Sequence, residues 1–149
     1  WAPPLDAGSK QFKWLDYVLS HTKAQWKIVY LHHPLYSSGG HDPIPVMTEL
    51  LAPVFEKYKV DLVLQGHDHN YERTYSIKAG TTSAEGVIYI TLGGGGSPLY
   101  IQRTINDWSA KFLSVYHFAF FEINAGHLTM NVYDRASKLI DTLELTKHQ

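Results

Sequence analysis

The feature that most limits the fold is a pair of apolar segments, each followed closely by histidines. The first, Trp26–His32, is rich in aromatic and β-branched residues and predicts a strand that ends at His33-Pro34. The second, Val60–Leu64, is a short apolar run and predicts a buried strand. Helical periodicity over Pro43–Lys59 places a helix between them. The two strands are therefore expected to be parallel neighbours joined by a right-handed crossover.

The rest of the chain adds a helix before this unit and strands after it. Apolar spacing predicts a helix within Ser9–Lys23, capped by Ser9, while Asp42 is expected to cap the second helix and Pro53 to kink or divide it. Further strands are predicted at Tyr71–Lys78, Val87–Leu92, Val115–Ile123, His127–Tyr133 and Leu139–Leu145. A tight hairpin turn is expected at Asn124-Ala125-Gly126, and a loop or short helix at Thr104–Lys111. The pattern predicts an α/β fold.

Net charge, apolar runs and cysteine content argue against several kinds of partner and of reactive site. A formal net charge of −1 gives no electrostatic reason to expect nucleic acid or a membrane surface as partner. No apolar run approaches the roughly 18 residues of a membrane span. The chain has no cysteine, which excludes disulfides, thiolate nucleophiles and cysteine-based zinc sites and leaves the compartment open.

Three histidines are expected to share one rim of the sheet. His67 and His69 are two residues apart, so in extended backbone they point the same way. His32 ends the neighbouring strand, and the carboxyl ends of parallel strands about 4.8 Å apart meet at one edge. Neutral imidazole binds zinc, iron, copper or nickel, so the pattern predicts a metal site. The alternatives are two surface histidines in a loop and a core histidine satisfied by a carbonyl group.

Other residues near this rim are assigned separately. Strand alternation turns His33 away from the face that His32 uses, so His33 is not expected to be a ligand. His41 lies in the following glycine-containing loop and could contact a phosphate oxygen or protonate a leaving group, or simply be solvated. The run Gly93–Gly96 lacks the ending of a phosphate-binding loop and is expected to let backbone pass close to the histidines or form a bend. Glu72 and Arg73 are expected to serve a structural ion pair.

Two strings carry a resemblance to a known family. Leu31–Tyr36 reads LHHPLY and is followed by His41, and Gly66–Arg73 reads GHDHNYER. Together with Val87–Gly93 and the closing hairpin, they resemble the calcineurin-like metallophosphoesterases, specifically the purple acid phosphatase branch. The likeness runs over most of the chain, and the second string is far more specific than a bare His-x-His pair.

The resemblance implies a fold, an activity and roles for four residues. The implied fold is a β-sandwich flanked by helices, with two metal ions (Fe, Zn or Mn) that clamp the phosphoryl oxygens of a small phosphate ester during in-line hydrolysis. By the same resemblance, His32 and His67 bind one metal, His69 binds the other, and His41 contacts the substrate phosphate. A phosphodiesterase of the same superfamily and a non-catalytic metal-binding or interaction module are the alternatives. The family suggests a secreted or extracytoplasmic protein, although the chain shows no signal-peptide pattern.

The family's remaining ligand motifs do not occur in this sequence. These are an Asp ligand, a bridging Asp with a nearby Tyr, and a Gly-Asn-His string. Residues 1–149 are therefore expected to be the C-terminal part of a metallophosphoesterase domain whose N-terminal half is absent. We expect the chain alone to be almost inactive, and its open strand edges to be completed by that half, by another chain or by self-association.

Overall fold

The computed structural model describes residues 6–147, which form two helices and two β-sheets. The helices are α1 (Lys10–His21) and α2 (Pro45–Lys57). The strands are β1 (Ile28–Tyr30), β2 (Leu62–Gln65), β3 (Tyr71–Lys78), β4 (Thr81–Thr82), β5 (Val87–Leu92), β6 (Ser109–Leu113), β7 (His117–Asn124), β8 (His127–Asp134) and β9 (Leu139–Thr146). Within these residues, neither helix is long and apolar enough to cross a bilayer.

The larger sheet contains the predicted parallel pair. Its strand order is β1-β2-β5-β3-β4, and β6 also pairs with β3. Strands β1, β2 and β5 are parallel, with Val29 opposite Val63, so the expected adjacency of the first two strands is confirmed. Strand β3 runs antiparallel to β5, so the sheet as a whole is mixed.

The smaller sheet is a meander of β7, β8 and β9. The predicted hairpin turn is confirmed, because Asn124 pairs with His127 across Ala125-Gly126. Ala125 adopts the left-handed conformation, with φ of 48°, as a turn this tight requires of one of its residues. The alternation expected in the last two strands is also present, since Leu128, Met130 and Val132 are buried.

The helices and the two sheets pack together through two apolar cores. Between the sheets lie six fully buried side chains: Leu62, Tyr71, Ile90, Leu128, Met130 and Val132. On the opposite face of the larger sheet, Leu19 of α1 and Leu51 and Phe55 of α2 pack against Val63 and Tyr89. Each such side chain contributes about 1.5–3 kcal/mol through burial. The predicted β-sandwich flanked by helices is confirmed.

Several local predictions were wrong for identifiable reasons. The first strand ends at Tyr30, so His32 lies in the loop beyond it. The N-cap of α2 is Ile44 and not Asp42, because Pro45 occupies the first helical turn, where a missing N–H costs nothing. Pro53 does not divide α2, which continues to Lys57. The stretch expected to be a loop or short helix contributes β6, whose pairing with β3 is a tertiary effect without a local signal.

A buried ion cluster joins the two sheets. Asp141 of β9 accepts hydrogen bonds from the Tyr71 hydroxyl at 2.5 Å and from Arg73 Nε at 2.7 Å, and Lys111 Nζ lies 3.3 Å away. Burial alone would raise the pKa of Asp141, but the bonds from Arg73 and Tyr71 hold it below its usual value. Arg73 therefore has the expected structural role, but its partner is Asp141 and not the adjacent Glu72.

Candidate metal centre

Three histidines converge where the two loops leave β1 and β2. One ring nitrogen of each of His32, His33 and His67 lies within 4.8 Å of the others, and His32 Nε2 is 3.1 Å from His67 Nδ1. The predicted pairing of His32 with His67 is therefore present. The prediction that His33 points away was wrong, because the strand ends before these residues and its alternation does not extend to them.

Backbone geometry holds the two loops together. The Gly66 N–H donates to the His32 carbonyl oxygen at 3.0 Å, which continues the β1–β2 pairing past the end of the strands. The sharp turn occurs at His67, whose φ is 64°. A side chain at Gly66 would make only ordinary contacts. A left-handed histidine is uncommon, and strained residues of this kind cluster at functional sites.

The electrostatics around His67 favour its neutral ring. Burial lowers the pKa of His67, and the neighbouring His41, His33 and His32 lower it further, against a smaller opposing effect of Asp68. A neutral imidazole is the form that binds a metal ion. Within residues 6–147, no carboxylate belongs to this group of possible ligands.

His41 lies against the same group and is oriented by Asp68. Its ring centroid is 4.2 Å from that of His67. Asp68 Oδ1 accepts from the His41 backbone N–H at 2.9 Å and from its ring Nδ1 at 2.8 Å. Ser37 Oγ donates to the other carboxylate oxygen. Because Asp68 is fully buried and fixes Nδ1 as the protonated nitrogen, Nε2 of His41 is left free at the exposed edge of the ring.

The loop that carries His41 is fastened to the larger sheet by a second buried carboxylate. Glu72 accepts from the Ser38 backbone N–H at 2.7 Å and from the Ser38 hydroxyl at 2.5 Å. Ser109 of β6 donates to the same carboxylate at 2.6 Å. Glu72 thus positions the loop and does not face the histidines.

His69 occupies a separate position. Its Nδ1 donates to the Pro98 carbonyl oxygen at 2.9 Å, so its Nε2 is the nitrogen available to a ligand. Its ring stacks on Tyr100 at a centroid distance of 4.4 Å, and Tyr100 also contacts His41 edge-on. His69 is not part of the group formed by His32, His33 and His67.

Two of the four consecutive glycines are required by close approach. A side chain at Gly93 would overlap the Asp68 carbonyl oxygen, so the backbone does pass next to the histidine segment, as predicted. A side chain at Gly94 would overlap the Val115 carbonyl oxygen and the His117 ring. Nothing lies within 4 Å of a side chain added at Gly95 or Gly96.

Sequence reasoning missed Asp68, Ser37 and Tyr100 as parts of the site. Asp68 could have been suspected only from its position between two histidines, because residues 67–70 form bends and strand alternation does not place its side chain. Tyr100 gives no such signal, because it reaches His69 and His41 only through the path of the loop after β5.

Comparisons with known proteins find similarity to one family. A family model described as calcineurin-like phosphoesterase matches residues 3–71. A purple acid phosphatase of Glycine max is 30% identical over 141 residues, which cover 84% of this chain and 29% of that protein. The Fe(3+)-Zn(2+) purple acid phosphatase 12 of Arabidopsis thaliana is 33% identical over 144 residues, which cover 84% of this chain and 29% of that protein.

The structural comparison extends the likeness to nearly all of the chain. Purple acid phosphatase PPD1 from yellow lupin (Lupinus luteus) seeds superposes with a TM-score of 0.87 at 27% identity, covering 95% of this chain and 29% of that chain. The chain thus spans less than a third of the length of these relatives.

Proposed function

The chain is related to the calcineurin-like phosphoesterases, in their purple acid phosphatase branch, and from this premise we propose that it supplies the histidine side of a phosphatase metal centre. The substrate class is a small phosphate monoester. The observation that carries the proposal is the convergence of His32, His67 and His41 at one edge of the larger sheet. Residues 1–149 would form the C-terminal part of the complete domain.

The donor set fits transition-metal ions. The nitrogens of His32 and His67 are 3.1 Å apart, close to the spacing of about 3.3 Å expected of two ligands on a tetrahedral ion. His32 and His67 would hold one ion. His69 would bind the second through Nε2, since its Nδ1 already donates to a carbonyl group, the usual arrangement for a metal-ligating histidine. The ions would be Fe, Zn or Mn, and the first two occur in the name of the Arabidopsis relative.

His41 is the proposed substrate-contacting residue. When bound, the metal ions would supply Lewis acidity at the phosphoryl group and activate the attacking water. When the His41 ring is protonated on both nitrogens, its Nε2 would donate a hydrogen bond to a phosphoryl oxygen or a proton to the departing alcohol. Asp68 would keep the ring in the orientation that this contact requires.

A metal-binding module without catalysis is the second candidate. It is favoured by the ligand set itself, because no carboxylate of residues 6–147 joins the histidines. A binuclear phosphatase needs such ligands, so under the first candidate they would come from outside this sequence.

We also propose that the open sheet edges are completed by other polypeptide. Within residues 6–147, strand β1 pairs only with β2, and Tyr30 on this strand is 85% exposed. An unpaired edge beside an exposed aromatic residue is a ready template for another strand. The candidates are the N-terminal half of the domain, another chain or a second copy.

The test is complementation. This chain would be fused behind the N-terminal part of a plant purple acid phosphatase and assayed with p-nitrophenyl phosphate in the presence of Zn²⁺ and Fe³⁺. We expect turnover that His67→Ala lowers at least about tenfold, as for loss of a metal-site residue, whereas His127→Ala, at an exposed position of β8, leaves it unchanged. Equal rates for the two variants would contradict the proposal. A folded, metal-loaded fusion without turnover would favour the non-catalytic module.

A further inference from the structure

We infer that His32, His33 and His67 form a three-nitrogen site for one zinc-like transition-metal ion within this chain alone. The new ligand is His33, which the family resemblance does not include among the metal-binding residues. The site consists of the three rings alone. Its metal binding can therefore be measured independently of whether the complete protein hydrolyses phosphate esters.

The distances between the ring nitrogens are close to those of a metal-bound site. Nitrogens on a tetrahedral zinc at Zn–N distances of about 2.0–2.1 Å lie about 3.3 Å apart. His32 Nε2 and His67 Nδ1 already meet this spacing at 3.1 Å, and the His33 nitrogen lies within 4.8 Å of both. His33 therefore needs to move by at most about 1.5 Å to reach ligand spacing. Rotation of a partly exposed side chain supplies a movement of this size.

The rings are arranged around a common centre. Their centroids are 5.0 Å apart for His32 and His33, 4.7 Å for His33 and His67, and 5.0 Å for His32 and His67. The interplanar angles are 87°, 48° and 69°. The three rings are thus tilted relative to one another and do not stack. The rings of His69 and Tyr100, by contrast, do stack, with an interplanar angle of 19°. Apolar packing does not explain this arrangement, because His32 is exposed and the other two are only half-buried.

The hydrogen bonds near the group leave His33 available. Asp68 fixes the Nδ1 atom of His41, and the Pro98 carbonyl engages the Nδ1 atom of His69. Among the hydrogen bonds of residues 6–147, none involves the His33 ring. Pro34 follows His33 directly and is buried, which restrains the backbone that carries the ring.

The ligand chemistry defines the kind of ion. Three neutral imidazoles without a carboxylate suit Zn²⁺, Co²⁺, Ni²⁺ or Cu²⁺, whereas Ca²⁺ and Mg²⁺ require oxygen ligands. Three protein ligands leave a fourth tetrahedral position for water or another ligand.

The test is a titration of the metal-free chain with Co²⁺, followed by visible absorption, and with Zn²⁺, followed by calorimetry, at pH 7.5. We expect one ion per chain and at least a tenfold loss of affinity in both His33→Ala and His67→Ala. His69→Ala and the control His127→Ala should bind within twofold of the unchanged chain. Zinc X-ray absorption should count three imidazoles in the unchanged chain and two in His33→Ala.

Three results would overturn the inference: no binding, unchanged affinity in His33→Ala, or a loss in His69→Ala as large as in His67→Ala. Circular dichroism and thermal melting of each metal-free variant establish that it is folded. His33→Gln, which keeps a polar side chain of similar size, should lose affinity as His33→Ala does if the nitrogen ligand is what matters.

Discussion

Asp68 Oδ1 accepts two hydrogen bonds from the same residue, one from the backbone N–H of His41 at 2.9 Å and one from its ring Nδ1 at 2.8 Å. A fully buried carboxylate therefore sets both the position and the tautomer of a histidine at the rim of the site. A carboxylate that orients an imidazole in this way leaves the second ring nitrogen available to another partner.

Asp68→Asn is expected to release His41 from this orientation. An amide cannot accept at all the positions that Asp68 serves, so at least one buried donor is left unpaired, at a cost of about 1–3 kcal/mol. Nitrogen NMR of the imidazoles should show protonated Nδ1 in the unchanged chain and a mixture of tautomers in Asp68→Asn. The control is Asp42→Asn, an exposed neighbour of His41. A His41 signal that is identical in all three proteins would contradict the assignment.

Gly39→Ala should disturb the same loop by steric overlap. A methyl group at Gly39 would lie 2.7 Å from Asp68 Oδ2 and would overlap the buried Asn70 amide oxygen. Overpacking of this kind costs about 1–3 kcal/mol. The matched control is Gly95→Ala, because nothing lies within 4 Å of its added methyl group. Denaturant unfolding of both variants tests this prediction, and equal midpoints would count against it.

Asp141→Asn is expected to weaken the contact between the two sheets. The change leaves Arg73 facing an uncharged partner at a site where Asp141 is 8% exposed. We expect a loss of about 2–3 kcal/mol, less than for a fully buried ion pair because Lys111 and Arg73 keep some solvent contact. The exposed Glu144→Gln on the same strand should change stability by less than about 0.5 kcal/mol.

The same carboxylate gives a defined acid dependence. Because the folded-state pKa of Asp141 lies below its usual 3.8, the cluster's contribution is present above pH 3.8. It is lost as the pH falls from there through the folded-state pKa. As the pH falls below 3.8, Asp141→Asn should therefore lose less unfolding free energy than the unchanged chain. Parallel plots of unfolding free energy against pH for the two proteins would contradict this role of Asp141.

His117 should make the chain sensitive to milder acid. Burial lowers its pKa below the usual 6.5, although a bond to the Val115 carbonyl opposes the shift. A histidine that prefers to be neutral when folded stabilises the protein above pH 6.5, and this contribution is lost as the pH falls through the folded-state pKa. His117→Gln should flatten the decline in unfolding free energy between pH 7 and pH 5 by up to about 1.4 kcal/mol per pH unit. His127→Gln should leave that decline unchanged.

Sequence reasoning reached the parts of the fold that local patterns specify. The parallel pair of β1 and β2, the final hairpin and the sandwich follow from apolar runs, turn residues and alternation. The convergence of His32 with His67 follows from the rule that strand ends share an edge. What could not be predicted depends on tertiary contacts: β6 forms only because it pairs with β3, and the early end of β1 brings His33 into the histidine group.

Strand β1 is the edge at which we expect association. Tyr30→Lys places a charge beside the unpaired edge and should shift the chain towards monomer in sedimentation velocity. Ile105→Lys changes an apolar residue that is 93% exposed but lies outside the strands, and should have no effect. If the chain without substitution is monomeric up to high concentration, self-association is contradicted, and the partner at this edge must be a different polypeptide.

The central claim is that this chain holds part of a metal centre. The direct measurement is the number of zinc ions per chain, determined by inductively coupled plasma mass spectrometry after equilibrium dialysis against micromolar Zn²⁺. The account predicts one ion per chain, lost in His67→Ala and kept in His69→Ala. Two tightly held ions would contradict a partial centre, and none would contradict the histidine site itself.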